Sequence, residues 1–362
     1  MSESDRGNPI QVAVVVLLLV GGGWYFFQHY QVDGLDGVAV YPKNSFADDQ
    51  SYVTYQDAPA ILGPDRSLTA STAESDGSDN PFNLTPTSSS RLKYEAAPAQ
   101  SRAFRNIKVG SWALDGFGPT KFANSVARQN VSRVIRQFDI VALQQIASIE
   151  RDLVPRLVDT VNQGDRRYDY VIGESTGPTD RQEQLAFIFD TTRVLVDRRQ
   201  TYTVDDPDNK ITFDPLVAWF RAAQPGVAQA WTFSLVNIRV DLARAPGEVA
   251  LLPEMLEAIR NDGRGEDDIV VVGLFQADDA YLLPTVAGQN VRAAVQNRPT
   301  DIFGRYQTSN LLVDTAMTSE YLGRGGVFDY LRHYDLNLPE AETVSSHLPV
   351  YAEFTATEGG RL

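Results

Sequence analysis

The chain has 362 residues, 43% of them hydrophobic, and a formal net charge of −15. That is enough apolar mass for one large or two ordinary domains. The acidic excess runs along the whole chain and removes any broad attraction to nucleic acid or anionic lipid. Cysteine is absent, so disulfides, thiolate metal sites and a cysteine nucleophile are excluded.

Residues 1–9 read as an N-terminal tail. Residues 10–27, "IQVAVVVLLLVGGGWYFF", are apolar apart from Gln11; as a helix they would span roughly 27 Å, enough to cross a hydrocarbon core. Trp24, Tyr25 and Tyr30 stand where interfacial aromatics stand. A cleaved signal peptide is the rival, but the basic start and small-residue cleavage site are missing. The expectation is a single-pass N-terminal transmembrane helix, with a slight lean to a domain outside the cytoplasm, since Arg6 precedes the span and Lys43 follows it. Residues 28–43 are a short juxtamembrane segment with some extended structure. Residues 44–102, rich in Ser, Thr, Pro and acids, carry no periodic apolar pattern and read as a disordered linker.

The pattern changes near residue 103. "NIKVGSWAL" predicts a strand, "KFANSVARQNVSRVIRQF" one helix, "DIVALQQI" a buried strand, and "ERDLVPRLVDTVNQ" a helix. Strands follow at "YDYVIG", "QLAFIFD", "LVAWFRA" and "TFSLVNIRVD", then a helix at "GEVALLPEMLEAIRND". The uninterrupted apolar run of "DIVVVG" predicts a strand buried on both faces; "SNLLVD" and "LPVYAEFTA" complete the set. Strands that often follow one another directly, with helices interspersed, predict two mostly antiparallel sheets packed face to face in one domain over 103–357, with 358–362 as a C-terminal tail. Glu266–Asp268 is expected to be a solvated loop, Asp278 and Asp279 a helix cap or turn, and Asp205, Asp206 and Asp208 a polar turn rather than a cation site.

Five segments in order, "SWALDGFG", "DIVALQQI", "SLVNIRVD", "VVVGLFQADD" and "VSSHLPVYAEF", resemble the endonuclease/exonuclease/phosphatase superfamily, metal-dependent phosphodiesterases of deoxyribonuclease type. "EQLAFIFD", "TSNLLVD" and "GRGGVFDYLR" support the likeness. The resemblance covers 104–357 and implies a four-layer α/β/β/α sandwich and Mg²⁺ or Mn²⁺ chemistry on a phosphoester. It also implies where the reactive groups belong, and most are missing. Ala113 stands at the family's Asn, although Phe117 and Gly118 remain; Gln145 replaces the metal-binding Glu. Phe213-Asp214-Pro215 replaces Arg-Glu-Pro, and Arg239 replaces the catalytic His. Gly273-Leu274-Phe275-Gln276 replaces Gly-Asp-x-Asn, Ser309 the Asp before Asn310, and Ser346 the Asp of Ser-Asp-His. His347 is the clear survivor, and Glu183 matches a common position.

Gln145 keeps a carbonyl oxygen without the charge that holds a hard cation. Leu274 cannot take a proton, and Arg239 cannot shuttle one. The resemblance therefore implies a degenerate site that holds no metal cofactor, in a membrane-tethered domain acting as a binding or regulatory module for a protein or a phosphate-containing ligand. Arg239 is either a phosphate contact or one half of a salt bridge. The alternative is a divergent metal-dependent phosphodiesterase or nuclease working through His347 with Glu183, Asp115 or nearby acids.

Overall fold

The computed structural model describes residues 106–148 and 150–359, together with the short strands 30–33, 39–42 and 69–70. The proposed anchor at 10–27 lies outside the described residues, as does most of the 44–102 segment. Among the described residues no helix is long and apolar enough to cross a membrane. The chain divides into two units, Met1–Ser51 and Tyr52–Leu362. In the first, β1 (Tyr30–Asp33) pairs antiparallel with β2 (Ala39–Pro42), in agreement with the extended structure expected of the juxtamembrane segment.

The second unit is built on two sheets. The six-stranded sheet runs β14 (Tyr321–Val327), β15 (Val350–Thr355), β4 (Asn106–Phe117), β5 (Ile140–Ala147), β7 (Glu183–Asp190) and β6 (Tyr168–Thr176). The seven-stranded sheet runs β12 (Val291–Ala293), β13 (Ser309–Asp314), β11 (Ile269–Leu274), β10 (Thr232–Arg239), β9 (Leu216–Ala222), β8 (Val194–Asp205) and β3 (Thr69–Ala70). Pairing is antiparallel except for β4 with β5 and β10 with β11, which are parallel.

Three apolar layers hold the sandwich. Ile107, Val109, Ala142 and Phe187 of one sheet meet Phe220, Phe233, Leu235 and Val270 of the other. The alternate residues Val236, Ile238, Ile269 and Val271 face outward, under helices Ala245–Ala250, Leu252–Arg260 and Asp279–Val286. Trp112, Val141, Leu143 and Ile188 lie under helices Ser125–Ile135, Leu153–Val161 and Leu338–Val344. A strand with both faces covered has no use for polar alternation, and every residue of β11 is buried. The two mixed sheets with helices on their outer faces make an α/β sandwich.

Several expectations need correction. "KFANSVARQNVSRVIRQF" is two helices, because Asn124 turns out of the helical region and caps the second one with its Oδ1. "GEVALLPEMLEAIRND" is likewise split at Leu251, and Pro253 fits the first turn of the second piece. Strand β8 went unread because its polar "DRRQT" interrupts the apolar pattern at an irregularity between Asp197 and Thr201. β14, within "YLGRGGV", is largely open to solvent and lacks the β-branched signature. Thr69–Ala70 pairs with Asp205 and Val204 at the edge of β8, so the linker touches the domain there. The domain also runs past 357: the Glu358 amide donates to the Gln229 carbonyl at 2.9 Å.

Candidate functional site

The two parallel pairs decide where a site can form. They bring the carboxyl ends of β4, β5, β10 and β11 to one edge of the sandwich, where antiparallel β7 and β13 begin and the chain enters β15. All the positions taken from the resemblance collect on this edge.

Gly273 ends the straight part of β11 beside β10. A side chain there would put its Cβ 2.2 Å from the Ile238 carbonyl oxygen, so only glycine fits. Leu274 follows, fully buried, in register with Arg239 on one side and Ser309 on the other. The chain then turns sharply, with the amides of Phe275 and Gln276 both donating to the Thr308 carbonyl at 2.7 and 3.0 Å. Gln276 adopts φ 52°, as Gln145 adopts 59° and Asp115 adopts 53°. Left-handed backbone is costly for side-chain-bearing residues and gathers at functional sites. Here it sits under side chains that carry little chemistry.

Gln145 is a tie between strands: its Oε1 accepts the Asp115 amide at 3.0 Å. Asp115 accepts the Ser346 amide at 3.3 Å. Lys121, its pKa lowered by burial and supported by the Asp115 charge, donates to the carbonyls of Leu114, Asp115 and Val344. Ala113 is buried, and its carbonyl accepts the Ser345 hydroxyl at 2.8 Å. Ser309 is buried, its amide donating to Thr300 Oγ1. Asn310 is turned away into a pair of bonds with the Val295 backbone.

His347 sits within this edge, its carbonyl accepting the Trp112 indole at 2.8 Å and its Nδ1 3.4 Å from Thr308 Oγ1. Burial lowers its pKa and the Asp115 carboxylate raises it in part. Arg239 is engaged on all sides: Nε and Nη2 lie 3.3 and 3.4 Å from the Glu183 carboxylate, Nη1 donates to the Val240 carbonyl, and the guanidinium lies 4.7 Å from the centre of the Phe213 ring. Burial raises the Glu183 pKa and Arg239 opposes it. The salt-bridge reading of Arg239 is the one this geometry supports. Phe213, which replaces an Arg in the resemblance, has become a hydrophobic platform for Arg239 and for Arg181, itself paired with Asp241. Beside it, Asp214 is pushed up to about 6 by burial first, then by Asp206 and Asp205.

These residues do not fit a divalent cation. Gln145 offers a neutral oxygen already in use, Leu274 is apolar, and Glu183 is neutralised by Arg239. Among the described residues, the group of three acids whose oxygens converge within 4.8 Å is Asp268, Glu320 and Glu358, away from this edge.

Two features escaped sequence reasoning. Gln144, fully buried, donates to Ser111 Oγ at 3.1 Å and to Asn237 Oδ1 at 2.7 Å, and Asn237 donates on to the carbonyls of Leu143 and Ala186. This polar clasp joins the two sheets; a lone Asn within "SLVNIRV" was the available signal. The second is the Glu266–Asp268 run, expected to be solvated, whose Asp268 is buried. Asp278 caps its helix through the Tyr281 amide, as expected, and Asp206 closes its turn on the Ile211 amide.

No family model matches the chain. It is 25% identical over 262 residues to deoxyribonuclease gamma of Mus musculus, covering 67% of this chain and 83% of that protein. With deoxyribonuclease-1 of Bos taurus it shares 24% over 268 residues, covering 69% and 93%. Among solved structures, it resembles an endonuclease/exonuclease/phosphatase family protein from Bacteroides thetaiotaomicron, at 15% identity and TM-score 0.49 over 69% of this chain and 98% of that one. That structural likeness is too loose to carry an assignment. The motif segments in their expected order, the sandwich they build and sequence relatives aligned over two thirds of the chain point the same way instead: the chain is similar to the deoxyribonuclease-type members of the endonuclease/exonuclease/phosphatase superfamily.

Proposed function

We propose that this chain is a membrane-tethered member of the superfamily whose edge site no longer turns over phosphoesters and whose domain works as a binding or regulatory module. The observation that carries this reading is the occupancy of the site by its own residues. Arg239 is spent on Glu183 and Phe213, Gln145 on Asp115, and Leu274 fills the strand end. A phosphodiesterase needs a charged metal ligand and a group able to take a proton from water, and Gln145, Arg239 and Leu274 supply neither at their positions. The tether is the apolar 10–27 segment, with the domain outside the cytoplasm; the module takes no metal cofactor in this edge. Its partner is a protein or a phosphate-containing ligand rather than nucleic acid, given the net charge.

A second reading, a divergent metal-dependent phosphodiesterase, draws on the field of Asp115 at His347 and on the deoxyribonuclease relatives. Incubating the full chain with bis-p-nitrophenyl phosphate and Mg²⁺ or Mn²⁺ separates the two. The proposal expects release of nitrophenolate no faster than with the His347→Ala variant. Turnover that disappears on His347→Ala would establish the second reading instead.

A further inference from the structure

At the edge opposite the cleft, three pieces of chain bring three acids together. Asp268 precedes β11, Thr318 and Glu320 precede β14, and Glu358 follows β15. One oxygen from each carboxylate lies within 4.8 Å of the others. Asp268 is 2% exposed and Glu320 1%, whereas Glu358 reaches solvent.

The protein satisfies half of this cluster. Trp231 Nε1 donates to Asp268 Oδ2 at 2.8 Å, and the Thr232 amide to Glu358 Oε2 at 3.2 Å. Ser319 Oγ and the Gly359 amide donate to Glu320 Oε1. Of the remaining oxygens, Asp268 Oδ1 and Glu320 Oε2 are buried and receive no hydrogen bond. The Thr318 hydroxyl, 2% exposed, neighbours Asp268 yet makes no bond of proper geometry. None of the three acids forms an ion pair among the described residues. Each buried oxygen left unmet is unfavourable, more so when charged, so a row of them with no counter-charge among the described residues points to a missing partner.

The donor set says what kind of partner. It holds carboxylates and a hydroxyl, with no imidazole or thiolate, which suits a hard cation rather than zinc or copper. Three carboxylates and a hydroxyl supplied by the protein itself suit Ca²⁺, whereas Mg²⁺ dehydrates reluctantly and usually takes one or two carboxylates. We propose that Asp268, Glu320 and Glu358, with the Thr318 hydroxyl, form a binding site for a divalent hard cation of calcium size on the edge opposite the degenerate cleft. The site is separate from that cleft by the length of β11, roughly 20 Å at strand spacing. Solvent reaches this edge through Glu358.

Calorimetric titration of the chelator-stripped full chain with CaCl₂ tests the assignment, alongside Glu320→Gln, Asp268→Asn and thermal melts with and without Ca²⁺. The expected result is one Ca²⁺ per chain, a higher Tm in Ca²⁺, and at least tenfold weaker binding in each variant. Both variants should melt no lower than the stripped wild type, since each relieves the crowding of buried carboxylates. Should either fail to fold, Glu358→Gln, at the exposed rim, must still weaken the ion. MgCl₂ should bind at least tenfold more weakly than CaCl₂; equal affinity would overturn the size assignment. Silent calorimetry with a Ca²⁺-insensitive melt would mean that the acids share a proton only. Binding that survives all three substitutions would place the ion elsewhere, the cleft included. Neither result bears on phosphoester turnover, which tests the cleft by itself.

Discussion

Arg239 brings a permanent charge to a position 4% exposed, and only the Glu183 carboxylate compensates it. Breaking a buried pair from one side strands the other charge, which typically costs about 3–5 kcal/mol. Arg239→Ala should therefore lower the unfolding free energy by about that much, and adding Glu183→Gln should restore part of the loss, since no charge is then left unpaired. A chemical melt of the single and double variants reads this directly; additive losses would show that the pair is not coupled. Asp214 gives a pH signature. Its ordinary value of 3.8 is raised to about 6 in the folded protein, so between these values the folded form holds a proton that the unfolded form releases. Its contribution is complete below about 3.8 and is lost as pH rises through 6. Between pH ~4 and ~7, the Tm of Asp214→Asn should fall less than that of the wild type; parallel profiles would dismiss the shift.

Residue identities at the cleft were legible because motif positions are local, and a Leu or Gln where a carboxylate belongs is visible in the string itself. Their present employment was not. Nothing in "FDP" and "NIR" announces that Phe213 lies under Arg239, or that Glu183 closes the pair from the other sheet. Such contacts depend on strand order, which periodicity does not give.

At the scale of elements, β11 shows what an apolar residue at its end does to a strand. With Leu274 in place of a carboxylate, the run from Ile269 to Leu274 is buried throughout, and the only cation in register beside its end, Arg239, already has a partner. Leu274→Asp loses a buried leucine and inserts a charge with no free counterpart, each costing about 2 kcal/mol or more. A marked drop in Tm is expected, and a variant as stable as the wild type would contradict the account of this strand end. Buried strands such as β5, β7 and β10 were readable from their unbroken apolar runs. β8 and β14 were not, because one is broken by a polar irregularity and the other is held chiefly by pairing with β15. The two helix breaks followed local rules, an Asn cap and a proline in the first turn, that a long amphipathic pattern had masked.

For the whole molecule, topology gathers what sequence scatters. The sandwich was foreseeable from alternating buried runs and the motif order, and the cleft followed from it. The opposite edge did not, because Asp268, Glu320 and Glu358 come from segments far apart in the chain, each unremarkable in its own neighbourhood and joined only by the ends of β11, β14 and β15. The Ser111–Gln144–Asn237 clasp belongs to the same class, since its members meet only once the sheets have stacked.

The tight approach of Gly273 to Ile238 sets a limit on how this edge can be rewritten. An engineer hoping to re-arm it can exchange what lies at 274, 275 and 276, because each already carries a side chain and a place for it. Position 273 admits no such freedom: even one methyl group would wedge apart the two strands whose parallel alignment created the edge.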